Sequence, residues 1–121
     1  MDPVTLWCSW PAPVLSPNSR AHWTKKAKAR KAQREEARLV ARAAMGPARS
    51  VTASRYAVAL DFQPPDKRRR DSDNLLASCK GLLDGIADAI GVDDSCFEIT
   101  FRLVPPVAGR GRVKVTVGYA T

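Results

Sequence analysis

The sequence predicts a small α+β domain, a mixed β-sheet of about four strands with two helices on one face, in the order β-α-β-α-β-β. Three observations carry this expectation. Two stretches, residues 25–45 and 73–90, have helical patterning with no interior proline. Four shorter runs alternate apolar and polar residues, and clusters of Pro, Gly, Ser and Asn separate the six segments. With 121 residues the chain suits one domain, residues 1–121, and 45% hydrophobic residues argue against wholesale disorder.

Residues 4–10 are aromatic and β-branched and stop at Pro11 and Pro13, which predicts a first strand. Residues 12–23 form a loop, and Thr24 is placed to cap the first helix. That helix carries Lys25, Lys26, Lys28, Arg30, Lys31 and Arg34 in its N-terminal half, where the helix dipole favours anions. Two readings follow: cations presented to an anionic partner, or a solvated face whose long side chains cover Ala29 and Ala32. Gly46-Pro47 ends the helix, and residues 51–63 read as a long strand ending at Pro64-Pro65. The second helix stops at Gly91. Residues 97–104 and 113–119 read as two strands, and the turn-rich segment between them predicts that they pair as a hairpin.

Charge and cysteine usage narrow the function. Twenty Lys and Arg against twelve Asp and Glu give +8, which suits a polyanion, nucleic acid before membrane, because there is no long apolar span. No basic, apolar leader precedes the first strand, so residence in the cytoplasm is the expectation. Cys8, Cys79 and Cys96 have no metal-binding spacing, and Cys79 falls on the apolar face of the second helix. His22 is the sole histidine, which argues against zinc and against a histidine-dependent hydrolase.

The densest chemistry lies between the second strand and second helix. Lys67, Arg68, Arg69 and Arg70 run directly into Asp71, Ser72 and Asp73, and Asp93-Asp94 follows the helix. On the helix, Leu75, Leu76, Cys79, Leu82, Leu83, Ile86 and Ile90 form a core face. Asp73, Ala77, Lys80, Asp84 and Asp88 form a polar face on which Lys80 and Asp84 are i,i+4 partners. On a continuous helix Asp73 and Asp84 stand ~16 Å apart along the axis and cannot share one cation. Asp71 and Asp73 can, joined by Asp93 or Asp94 if the next strand packs beside the second one. The competing reading is structural: Asp71 or Ser72 as helix cap, Asp73 on the dipole, and Asp93-Asp94 as a turn.

These residues resemble the RusA family of Holliday junction resolvases, common in prophages. The resemblance rests on Arg68-Arg69-Arg70-Asp71-Ser72-Asp73-Asn74-Leu75, then Asp84-Gly85-Ile86, then Gly91-Val92-Asp93-Asp94, and on Trp10-Pro11 and Pro17-Asn18 near the first strand. It implies a Mg²⁺-dependent (or Mn²⁺-dependent) endodeoxyribonuclease with Asp71, Asp73 and Asp94 as catalytic metal ligands. It also implies a homodimer acting on branched DNA, the four-way junction, encoded by a phage or prophage. The family's lysine lies one turn after the second aspartate in its best-known members, where this chain has Ala77. Lys80, on the same face and ~10 Å along a continuous axis from Asp73, is assigned that role. Lys67 to Arg70 and Lys25, Lys26, Lys28 and Arg30 are then expected on the DNA backbone. Trp23 is expected either to stack on an unpaired base or to anchor its loop. Two other classes use the same residues: a metal-dependent nuclease for other branched substrates, and a nucleic-acid-binding protein without catalysis.

Overall fold

In a computed structural model the chain is described over residues 2–46, 55–107 and 109–120. Strand β1 (Val4–Ser9) leads to α1 (Trp23–Met45), then β2 (Tyr56–Gln63), α2 (Ser72–Ala77), α3 (Lys80–Ile90), β3 (Phe97–Leu103) and β4 (Arg112–Tyr119). The α+β class and the four-stranded mixed sheet are as the sequence predicts. Residues 51–54 of the expected second strand, together with Pro47, lie outside the described residues.

Sheet order corrects one expectation. The strands lie β1-β4-β2-β3, so β3 and β4 are not a hairpin; β4 fits antiparallel between β1 and β2. Side-chain character explains the choice. Val113, Val115 and Val117 of β4 are fully enclosed by the helices and neighbouring strands, the environment of a central strand. In β3, Ile99 and Leu103 stay exposed, and Glu98 and Arg102 point away from the helices, so it is the edge, parallel to β2. β1, β2 and β3 therefore all point the same way.

α1 and α3 lie side by side over one sheet face, and their shared core includes Leu6, Val58, Leu60, Phe62, Leu82 and Ile86. Each fully buried Leu, Ile or Phe stabilises the fold by ~1.5–3 kcal/mol. Two glycines of α3 lie directly against α1 backbone. Gly81 abuts the Arg30 carbonyl, and Gly85 abuts the Arg34 carbonyl and Ala37. α1 starts at Trp23 rather than Lys25, and the expected cap moves too: His22 Nδ1 accepts the Thr24 N–H. At the other end Gly46, at φ 80°, closes the helix onto the Arg42 carbonyl. Gly91 closes α3 at φ 88°, in the left-handed conformation glycine favours.

Arg34 also clamps the helices, donating from Nε and Nη2 to the two oxygens of Asp88 at 2.6 and 2.9 Å. This hydrogen bonding holds the Asp88 carboxyl below the usual carboxylate range, against the opposing effect of desolvation. A group whose pKa is depressed on folding stabilises above its unfolded pKa, ~3.9 for Asp, and loses that contribution as pH falls through the folded value. Thermal melts of wild type and Asp88→Asn are therefore expected to differ above about pH 4 and converge in more acid solution. A difference that stays constant down to acid pH would mean the charge of Asp88 contributes nothing.

Candidate functional site

The expected continuous second helix is broken. α2 ends at Ser78, whose hydroxyl donates back to the Asn74 carbonyl, and α3 starts after Cys79. Gln33 of α1 spans the break, donating to the Ser78 carbonyl at 2.9 Å and accepting the Leu82 N–H at 3.2 Å. One amide side chain thus satisfies backbone groups that a continuous helix would satisfy internally. The break lets α2 lean on β3 while α3 follows α1. It also removes the single-axis ruler used to space Asp73, Lys80 and Asp84.

Asp71 is the N-cap of α2, its Oδ1 accepting the Asp73 N–H at 2.9 Å. Asp73 lies exposed in the first turn of that helix. Asp94 follows α3 in a short 3-10 turn, Asp94–Cys96, just ahead of β3. β3 packs beside β2 but parallel to it. Phe97, just after the Asp94 turn, pairs with Tyr56, whereas the loop to Asp71 leaves β2 at the opposite end, after Gln63. The expected return of Asp94 to that loop therefore does not follow. The two adjacent aspartates have different main partners: Asp93 Oδ1 accepts the Ser95 N–H at 2.8 Å and caps the turn, while Asp94 receives the Lys80 ammonium. Lys80 also lies 3.2 Å from Asp84 Oδ1. The hydrogen bonds to Asp94 and Asp84 raise the Lys80 pKa above the ordinary lysine value, so Lys80 is an ammonium at neutral pH, a charge donor and not a base.

The carboxylates therefore form two pairs. Asp71 and Asp73 lie at the start of α2, and Asp84 and Asp94 converge on Lys80. Their oxygens are the donors a hard divalent cation prefers, and the meeting point of Asp84 and Asp94 already attracts a cation, that of lysine. Among the described residues no three His, Cys, Asp or Glu side chains converge closely enough to hold a metal ion. Asp84 is the residue sequence reasoning left out of the site. Its signal was the i,i+4 spacing from Lys80, there assigned only to helix support.

The expected phosphate contacts divide by exposure. Lys67, Arg68 and Arg69 are exposed. Arg70 is instead built into the loop, donating to Asp66 Oδ1 at 2.8 Å and to the Asp66 and Arg68 carbonyls, with its guanidinium 5.3 Å from the Trp10 ring centre. In α1, Lys25, Lys28 and Arg30 are exposed, while Lys26 donates to the Ser19 carbonyl at 2.7 Å. Trp23 opens the helix at 72% exposure, so it does not anchor the loop. Because β1 and β2 run in the same direction, the basic start of α1 and the basic loop before α2 emerge from the same end of the sheet.

Burial pushes the Cys8 and Cys79 thiols up to about 12, which removes thiolate chemistry at neutral pH. Among the described residues no helix is long and apolar enough to cross a membrane.

Fold and site together define a two-layer α+β protein with its cationic and acidic loops gathered around two helix starts. No protein-family model matches the chain. An "Uncharacterized protein" of Xylella fastidiosa (strain Temecula1 / ATCC 700964) is 39% identical over 118 residues, 97% of this chain and 76% of the relative. The chain belongs to the same family as that protein.

Proposed function

We propose that this chain is a divalent-cation-dependent endodeoxyribonuclease of RusA type that resolves four-way DNA junctions by paired symmetric nicks. The observation that carries the reading is the gathering of Lys80 by Asp94 and Asp84, which unites the lysine with the acidic pair across a helix and a turn. Asp71, Asp73 and Asp94, which belong to two separate pairs in this structure, would have to close on one another to hold Mg²⁺, or Mn²⁺ in its place. The ion would then supply a metal-activated water and neutralise developing charge. Lys80, kept as an ammonium, offsets charge on the scissile phosphate. The exposed Lys67, Arg68, Arg69, Lys25, Lys28 and Arg30 bind backbone phosphates, with affinity that falls steeply as salt rises. A four-way junction has near two-fold symmetry and needs two nicks, and one domain carries one acidic set, so the working unit is a two-fold homodimer. The setting is the cytoplasm of a bacterial host, and the gene is of phage or prophage type.

The separation of the carboxylates into two pairs favours a second reading, a junction-binding protein in which Asp71 and Asp93 serve only as caps. A synthetic mobile junction incubated with and without Mg²⁺, beside Asp73→Asn, decides between them. Paired nicks that require both the cation and Asp73 are expected. A junction bound tightly yet intact in Mg²⁺ and in Mn²⁺ would establish the binding protein instead.

A further inference from the structure

We infer that the sheet face turned away from the helices is a platform for single-stranded nucleic acid, with Trp7 as its stacking surface. The inference rests on the proposed function only for the class of partner. In an antiparallel register, residues directly opposite share a face, which places Trp7 beside Lys114 and groups Thr5, Ala57, Ala59, Asp61, Thr116 and Arg112 with them. Among the described residues no element covers this side, because α1 and α3 both pack on the other.

An exposed tryptophan alone means little. Here the surroundings set it apart. The Arg112 guanidinium lies over the Trp7 ring, 4.1 Å from its centre, and the Lys114 ammonium lies 5.9 Å from it. The guanidinium thus covers one face of the ring, and its outer plane together with the exposed remainder of the indole presents the stacking surface. The carboxylates of this face are already engaged, Asp61 by both nitrogens of an Arg102 fork and Glu98 by Arg55. Among the described residues neither Arg112 nor Lys114 forms a close ion pair, although Lys114 stands opposite Asp61 and acts on it through its charge. Arg112 Nε donates to the Gln63 amide oxygen at 2.7 Å. Four cations against two carboxylates leave the face positive, with the excess located at the aromatic ring.

Beside it a cavity of about 370 Å³ is lined by Ala59, Asp61, Thr100, Arg102, Lys114 and Thr116. Small side chains on the strands let a base approach the sheet, and hydroxyl, guanidinium and carboxylate groups at the rim offer donors and an acceptor to base edges. Stacking on an aromatic ring beside a cationic track is how single strands are held without sequence preference. A second copy of the chain fits less well, since two net-positive, polar faces repel across a two-fold axis. Arg112 also starts β4 at the sheet end from which the basic start of α1 emerges, so the platform extends that cationic surface.

The test is equilibrium binding of a fluorescein-labelled oligothymidylate to the full chain in EDTA across a salt series. Trp7→Ala is expected to weaken binding about tenfold with little change in salt slope, and Trp7→Phe to restore most of the loss. The double variant Arg112→Gln with Lys114→Gln is expected to flatten the slope of log affinity against log salt by about 1.4. Wild-type affinity in Trp7→Ala, or no binding by wild type, overturns the platform. So does a dimer that Trp7→Ala converts to monomer, as read by sedimentation, because a second copy would then cover this face. Junction cleavage in Mg²⁺, measured on the same proteins, is a separate readout. Cleavage without Trp7-dependent strand binding defeats only the platform, and Trp7-dependent binding without any cleavage defeats only the nuclease.

Discussion

Gly85→Ala is expected to destabilise the protein by ~3 kcal/mol, near the upper end of what overpacking a tight core costs. A Cβ at this position would stand 2.2 Å from the Arg34 carbonyl oxygen, 2.8 Å from Ala37 Cβ and 2.9 Å from the Arg38 nitrogen. Two of these neighbours are α1 backbone, which cannot rotate aside, so the helices must separate. Separation would also loosen the Arg34–Asp88 fork and the Gln33 bridge across the α2–α3 break. Chemical denaturation measures the effect directly. A midpoint within experimental error of wild type would show that α1 and α3 pack less closely than these distances state. The resemblance to RusA includes this Asp-Gly dipeptide, and helix packing provides a physical reason for its glycine that is independent of catalysis.

On the proposed nuclease reading, with Asp94 as a metal ligand, Asp94→Asn is expected to reduce junction cleavage on the order of hundredfold or more, while Asp93→Asn leaves it nearly intact. Loss of groups that merely orient a metal's ligands costs ~10–100-fold, so loss of a ligand sets a larger effect. The two neighbours differ because their side chains do different work. Asp93 accepts the Ser95 N–H, a task an asparagine oxygen performs almost as well, whereas Asp94 takes the Lys80 ammonium and needs its charge. Circular dichroism of both variants should match wild type, since Asp94 and Lys80 are partly exposed and outside the core. Equal losses in the two variants would mean that the pair acts through the turn and not through the Asp94 carboxylate.

Much of this fold was legible in residue patterns. Gly91 ended a helix because the left-handed turn favours glycine, and Cys79 is buried because it shares a face with Leu82 and Ile86. The position of β4 was not legible. Its alternation of Val113, Val115 and Val117 matches a hairpin partner of β3 as well as a central strand, and only the helices covering that face distinguish them. The break at Ser78 was hidden for a similar reason: the apolar period runs through it, and Gln33, far away in sequence, satisfies the backbone groups it leaves. Within the basic run, composition treats Lys67 to Arg70 alike, yet Arg70 belongs to the loop's own architecture, over Trp10 and against Asp66.

By itself the sequence determined the class of the domain, its cationic character, the location of its acidic residues and the faces its helices bury. Those properties depend on periodicity and local backbone preference, which act over a few residues. Tertiary structure alone decided that Asp94 joins the Lys80–Asp84 pair, that Asp93 instead caps the following turn, and that Trp7, Arg112 and Lys114 share an open face. These juxtapositions depend on which strands neighbour one another and where one helix gives way to the next. That choice is made by the packing of the whole core.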